Sequence, residues 1–270
     1  MTFTSLFWIL LIVAAVFCAI GFYRFVWFMS VGYGLAVAGI GLALGIYSLA
    51  APVAQPNLAF LITCILLIVY GSRLGLFLLI RELKNAGYKK AVDANTGSNA
   101  PFFVKIVMWI ACAFLYVAEC AGPMYRMVNE KMPVAGDVAQ WIGVVIMLLG
   151  IIIEALADKQ KSAQKKTKPD MPAMEGLFKM CRCPNYFGEI LFWTGTFVTG
   201  VSVYAGAGQW IVAILGYICI FYVMISGAKR LEKRHIKNYG EKAEYQIYAN
   251  KTPILITLIP IYHLVKEEKK

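Results

Sequence analysis

The chain has 270 residues, of which 60% are hydrophobic and 15% are charged, and its mean hydropathy is +0.67. Soluble domains hold about 45–50% apolar and about 25% charged residues, so this composition excludes a water-soluble fold and predicts an integral membrane protein. The net charge of +11 does not indicate a nucleic-acid partner, because the Lys and Arg residues lie almost wholly in the connections between apolar runs.

A membrane-spanning helix needs about 20 mostly apolar residues. On this criterion the sequence predicts an all-α integral membrane protein, a seven-helix transmembrane bundle that forms a single domain over residues 1–270. The predicted spans lie near 4–22, 26–50, 57–80, 102–122, 138–157, 188–206 and 209–228. Only Ala205–Gln209 separates the last two spans, which predicts a tight helical hairpin. The apolar run Ile254–Leu264 is too short to cross a bilayer and predicts a C-terminal interfacial segment.

The distribution of basic residues predicts the orientation. Of the 26 Lys and Arg residues, 23 lie in one set of connections, and only Arg126 and Lys131 lie in the other set. Because basic connections stay on the cytoplasmic side, we expect the N-terminus outside and the C-terminus in the cytoplasm. The Lys-rich segment 159–172 is then a cytoplasmic connection that attracts anionic lipid.

The seven cysteines predict neither a disulfide framework nor a metal site. Five of them fall within apolar runs, where a thiol acts as a small hydrophobic group. Cys181 and Cys183 are one residue apart, and the chain has no second pair to complete a zinc site.

The stretch Cys181–Glu189 joins the Lys-rich segment to an apolar run. Pro184 suits the first turn of a helix, so a helix is predicted to start there. Asn185 and Glu189 then share one helical face beside Arg182. Such a cluster can bind sugar hydroxyls and phosphates, although ordinary interfacial polar residues at a helix start would give the same pattern.

The C-terminal portion offers a second polar set, in which Arg230 and Arg234 continue the last span on one face. Aromatic residues follow at His235, Tyr239, Tyr245 and Tyr248. This set offers cations for phosphates and aromatic faces for a base, or else it is a basic helix end with an aromatic belt.

Three motifs resemble a known family. They are Glu154-x3-Asp158-x-Gln160-Lys161, Gly176-Leu177-Phe178 and Arg182-x-Pro184-Asn185-Tyr186-Phe187-Gly188-Glu189. They resemble the steroid 5-alpha-reductase C-terminal-like family of membrane proteins, and the Tyr-rich tail is also similar to that of sterol C14- and C7-type reductases. The resemblance covers residues 150–260. Where that family has His after the motif Arg, this chain has Cys183, so no imidazole stands at that position.

The resemblance implies an NADPH-dependent enzyme of lipid metabolism that reduces a carbon–carbon double bond conjugated to a carbonyl in a lipophilic, steroid-like or isoprenoid substrate. It implies that half 150–260 binds the cofactor through Glu154, Asp158, Lys165, Arg182, Asn185, Glu189, Arg234, Tyr239, Tyr245 and Tyr248. The cations available for the phosphates are Lys165, Lys166, Arg182 and Arg234. Because the chain lacks a G-x-G-x-x-G turn after a strand, the bundle itself must hold the nicotinamide.

The motifs that carry the resemblance do not include a proton donor. Steroid reductases take an acid and a tyrosine from their N-terminal helices, and residues 30–60 here carry no such motif. The candidate catalytic residues are therefore polar residues of the second and third predicted spans, namely Tyr47, Tyr70 and Arg73. Ionisable and hydroxyl groups inside membrane helices are functional candidates.

Two other classes fit the same architecture. Isoprenylcysteine carboxyl methyltransferase-like proteins use S-adenosylmethionine and carry a comparable Arg–Pro motif followed by Tyr and Gly. A scaffold or transporter with a purely structural polar cluster is the non-enzymatic alternative, although the chain shows no internal repeat of the kind found in many transporters.

Overall fold

The computed structural model describes residues 2–50, 56–84, 100–129, 133, 135–257 and 259–265. Throughout these ranges the regular secondary structure is helical, which confirms the all-α prediction for them. The α-helices are α1 Ser5–Cys18, α2 Val31–Ala50, α3 Leu58–Lys84, α4 Phe102–Glu119, α5 Ala121–Val128, α6 Val138–Thr167, α7 Pro184–Val198, α8 Ala207–Tyr239 and α9 Ala243–Lys251. Short 3₁₀ helices cover Ala19–Phe22, Phe25–Met29 and Gly176–Lys179.

Within the described part of the chain, six helical segments are long and apolar enough to cross a membrane. They are Ser5–Phe22, Phe25–Ala50, Leu58–Lys84, Phe102–Glu119, Val138–Thr167 and Ala207–Tyr239. The protein is therefore an integral, multi-pass membrane protein. The orientation of its termini stays a prediction.

The sixth predicted span, 188–206, differs from the structure. Helix α7 ends at Val198 after 15 residues, a length of about 22 Å against a hydrocarbon core of about 30 Å. Just beyond this end, the Thr199 carbonyl accepts a hydrogen bond from Arg126 Nε at 3.1 Å. A count of seven spans therefore stays a prediction.

Two helices are longer than the spans predicted from hydropathy. Helix α6 runs ten residues past position 157, so the basic segment 159–172 is helical as far as Thr167, and its cytoplasmic location stays a prediction. Lys, Gln and Ala are good helix formers, and the first proline after them is Pro169. Helix α8 extends to Tyr239, which confirms that the basic residues after 228 continue the last span.

The chain divides into two compact units. Unit 1 comprises Met1–Val145 and Gly195–Tyr217, and unit 2 comprises Ile146–Thr194 and Ile218–Lys270. In unit 1, α2 and α3 touch through their backbones at glycines. A Cβ added at Gly34 would lie 2.5 Å from Gly75 N and 2.7 Å from Gly71 O. Small residues at this contact let two membrane helices approach closely.

Unit 1 also contains a buried polar network around Arg126, which the sequence had marked only as a loop charge. Its guanidinium donates to Asp137 Oδ2 at 2.7 Å and to Ser202 Oγ at 2.9 Å. Nearby, the side-chain amides of Asn57 and Gln140 exchange two hydrogen bonds of 3.1 Å. Since buried polar groups are costly unless they are paired, the Arg126 bonds tie the end of α5 to the residue before α6 and to the residues just after α7.

Candidate functional site

In unit 2, helices α6 and α7 touch at Gly150 and Gly188. A Cβ added at Gly188 would lie 2.7 Å from Gly150 O and 2.8 Å from Glu154 N. Glu154 and Glu189 are buried, with 4% and 7% of their surfaces exposed. One helix–helix contact thus brings together the first and last acidic residues of the sequence motifs, and the half-buried Asp158 follows one turn later on α6.

The first turn of α7 lies against the basic end of α8. As predicted, the helix begins at Pro184, and half-buried Asn185 is its second residue. The ring of Tyr186 would lie 3.3 Å from a Cβ added at Gly227. Glu189, Arg230 and Arg234 are close enough for their charges to act on the Tyr186 hydroxyl. The motif acid and the two arginines therefore share one neighbourhood.

Three aromatic rings form a cluster where α8 meets α9. The ring centroid of His235 lies 5.6 Å from that of Tyr239 and 6.2 Å from that of Tyr245. The two tyrosine rings lie 6.1 Å apart. These separations lie within the usual range for packed aromatic rings.

Cations surround this aromatic cluster. Lys165 Nζ donates to Tyr239 Oη at 2.8 Å and to the Pro169 carbonyl at 3.0 Å, so both partners are neutral oxygens. The cations within electrostatic range of His235 are Lys161, Lys165, Arg182 and Arg234. We call these four residues, together with His235, Tyr239 and Tyr245, the cationic–aromatic cluster. Lys166, the other predicted phosphate ligand, is exposed near the end of α6.

The Gly176-Leu177-Phe178 motif has a structural role in this unit. Gln160 Oε1 accepts the Leu177 N–H at 2.8 Å, and Gly176 adopts a φ of +66°, which favours glycine. Tyr248 donates its hydroxyl to the Phe178 carbonyl at 2.7 Å, and burial raises the pKa of Tyr248. The motif therefore joins α6 to α9 and orients one of the predicted cofactor residues.

Arg182 is buried and already paired with an acid. Its NH2 donates to Glu232 Oε1 at 2.9 Å and also to the Tyr262 carbonyl. Sequence reasoning missed Glu232, which is 2% exposed. The available signal was that Glu232 is the one acid in the basic stretch from Lys229 to Arg234.

The predicted catalytic residues belong to unit 1. Tyr70 is buried in α3, with its hydroxyl 3.2 Å from that of Tyr33, which the sequence had not singled out. Arg73 is half-buried one turn further along α3. Tyr47 lies 14 positions beyond Tyr33 on α2, about 21 Å along the helix axis. The structure therefore places Tyr70 near Tyr33 and leaves Tyr47 at a different level of α2.

The thiols that flank Arg182 are poor nucleophiles. Burial raises the pKa of Cys181 to about 11 and that of Cys183 to about 12, so both stay protonated at neutral pH. Among the described residues, no group of three or more His, Cys, Asp or Glu side chains is arranged to hold a metal ion.

Comparison with known proteins places the chain in a family. A model described as "Protein of unknown function (DUF1295)" matches residues 27–252, a range that includes every predicted site residue. No curated protein and no solved structure matched the chain. Because the matched range covers well over half of its length, the chain belongs to the DUF1295 family of proteins of unknown function.

Proposed function

We propose that the protein is an NADPH-dependent membrane reductase of a carbon–carbon double bond conjugated to a carbonyl in a lipophilic substrate. The observation that carries this proposal is the cationic–aromatic cluster of unit 2. The resemblance of its motifs to those of steroid 5-alpha-reductase C-terminal-like proteins supports the same activity.

The donor set of unit 2 fits a phosphorylated dinucleotide. Phosphates need cations. The Lys165 ammonium contacts two neutral oxygens, and the Arg234 side chain is exposed. Flat bases pack on aromatic faces, and the half-buried Tyr239 offers one, with the buried Tyr245 ring packed beside it. Ribose hydroxyls bind amides and carboxylates such as Asn185, together with the acids at the α6–α7 contact.

NADPH, when bound, supplies a hydride to the β-carbon of the enone. The protein must then donate a hydrogen bond to the carbonyl and provide a route for the proton that reaches the α-carbon. The predicted catalytic Tyr70 belongs to unit 1, where its buried hydroxyl lies 3.2 Å from that of Tyr33, and its part in the reaction stays a prediction. The apolar helices suit a substrate that enters from the bilayer.

Equilibrium binding of NADPH and NADH to the detergent-solubilised protein tests the cofactor. Arg234→Ala should weaken NADPH binding by about 10- to 100-fold, equivalent to about 1.5–3 kcal/mol for a charge-assisted contact. NADH should be affected much less, because it lacks the 2′-phosphate. Lys237→Ala, an exposed cation on the same helix, is the matched control and should change neither affinity. Equal weakening of both nucleotides by Arg234→Ala would remove Arg234 from the 2′-phosphate.

The motif acid gives a second test of the same site. Glu189→Ala should abolish NADPH binding, because it removes the motif carboxylate at the contact between α6 and α7. The helices should remain folded. Circular dichroism of the variant reports folding, and titration with NADPH reports binding. Unchanged NADPH affinity in folded Glu189→Ala would exclude Glu189 from the site.

A further inference from the structure

The carboxylate of Glu232 binds residues 263–265 of the C-terminal portion. Its Oε1 accepts from Arg182 NH2 at 2.9 Å and lies 3.1 Å from His263 Nδ1. Its Oε2 accepts the backbone N–H groups of Leu264 at 2.7 Å and Val265 at 3.0 Å. The Glu232 side chain is fully buried, so four hydrogen-bonding groups converge on one carboxylate shielded from water.

The segment after α9 folds back through further contacts. The backbone N–H of Arg182 donates to the Pro253 carbonyl at 2.9 Å, and the Arg182 guanidinium donates to the Tyr262 carbonyl. Within the segment, Ile254 N–H donates to the Ile261 carbonyl at 2.8 Å. We call residues 252–257 and 259–265 the C-terminal strap. Arg182 is bound to the strap through both its backbone and its side chain.

Arg182 also belongs to the cationic–aromatic cluster, which connects the strap to the proposed site. It lies within electrostatic range of His235 and beside the Tyr245 hydroxyl. Burial raises the pKa of Tyr245, Arg182 opposes that rise, and Glu232 reinforces it. Without Glu232, the buried guanidinium of Arg182 would lose its counter-charge, and a buried charge without a partner is strongly unfavourable.

We infer that Glu232 is a positioning residue of the nucleotide site and that it acts through Arg182 and the C-terminal strap. The closed strap holds Arg182 in the wall of the cationic–aromatic cluster, and nucleotide affinity depends on that closure. Arg182 is then an anchor of the site, and Lys165 and Arg234 are the cations that meet phosphate. This inference rests on the proposed function, because it assigns the strap to the same nucleotide site.

Two measurements on the variant Glu232→Gln report separately on the opening of the strap and on nucleotide binding. The amide keeps the size of the side chain but loses its charge and one acceptor. Without nucleotide, amide hydrogen exchange at Leu264 and Val265 should accelerate at least tenfold. With nucleotide, the Kd for NADPH should rise about tenfold, and in turnover the rise should appear in KM with little change in kcat. Glu241→Gln, an exposed acid just after α8, is the matched control and should alter neither readout.

A second variant covers the case in which Glu232→Gln does not fold. Val265→Pro removes one N–H donor to Glu232 at the end of the strap and leaves every helix intact, so it should show smaller changes in the same directions. Faster exchange with an unchanged Kd for NADPH would overturn the positioning role and leave the proposed function standing. Absence of NADPH binding by the unaltered protein would overturn the proposed function and this inference with it.

Discussion

The contact between α6 and α7 gives the most direct test of how the fold builds the site. In Gly188→Ala, the new Cβ would lie 2.7 Å from Gly150 O and 2.8 Å from Glu154 N, both below any normal van der Waals contact. Both neighbours are backbone atoms, so the two helices must separate. Overpacking of this kind costs about 1–3 kcal/mol, which corresponds to a Tm lower by roughly 2–12 °C in a chain of this size.

The matched control is Gly45→Ala in α2, where the nearest atom to the new Cβ would be Cys64 Cβ at 3.9 Å. Alanine in a helix interior is favoured over glycine by about 0.5–1 kcal/mol, so this variant should be neutral or slightly more stable. Thermal unfolding in detergent, followed by circular dichroism, measures both variants. Gly188→Ala should also weaken NADPH binding, because Glu154 and Glu189 flank the contact. Equal Tm values for the two variants would refute the close packing at Gly188.

Three further predictions concern single contacts. Burial raises the pKa of Asp137, but hydrogen bonds from Arg126 and two further donors bring it below the ordinary 3.8. Its stabilisation is therefore complete above that pH and is lost as the pH falls below it, and Asp137→Asn should flatten this acid dependence in unfolding titrations. Tyr248→Phe should lower the free energy of unfolding by about 0.5–1.5 kcal/mol, measured by denaturant titration, because the Phe178 carbonyl loses its hydroxyl donor. Mass spectrometry after iodoacetamide treatment at pH 8 should find Cys183 unmodified until the protein is denatured, and rapid modification of the native protein would contradict its burial.

Hydropathy and local signals predicted most of the helices, because such signals read residues that are close together in the sequence. The start of α7 follows from Pro184, whose ring fixes φ and which needs no N–H partner in a first turn. The end of α7 was not predictable in this way. The Thr199 carbonyl bonds to Arg126, 73 positions away in the sequence, and no local pattern records such a contact.

The candidate site shows the same division. Spacing placed Asn185 and Glu189 on one helical face, and the structure packs their neighbour Tyr186 near Gly227 of α8. No local pattern distinguished Arg182 from the other cations predicted to bind phosphate. Its partner Glu232 lies 50 positions away and is masked by the basic residues around it. Whether a cation is paired with an acid or is available to a phosphate depends on tertiary structure.

Thermal stability with three ligands tests most directly whether this membrane protein binds NADPH, as we propose. Purified protein would be unfolded with NADPH, NADH or S-adenosylmethionine at matched concentrations. A ligand that binds only the folded state adds about 2.7 kcal/mol at a hundredfold excess over Kd, so a real site produces a clear rise in Tm. We expect selective stabilisation by NADPH. Stabilisation by S-adenosylmethionine instead would indicate a methyltransferase, and no stabilisation by any of the three would contradict a nucleotide-dependent enzyme.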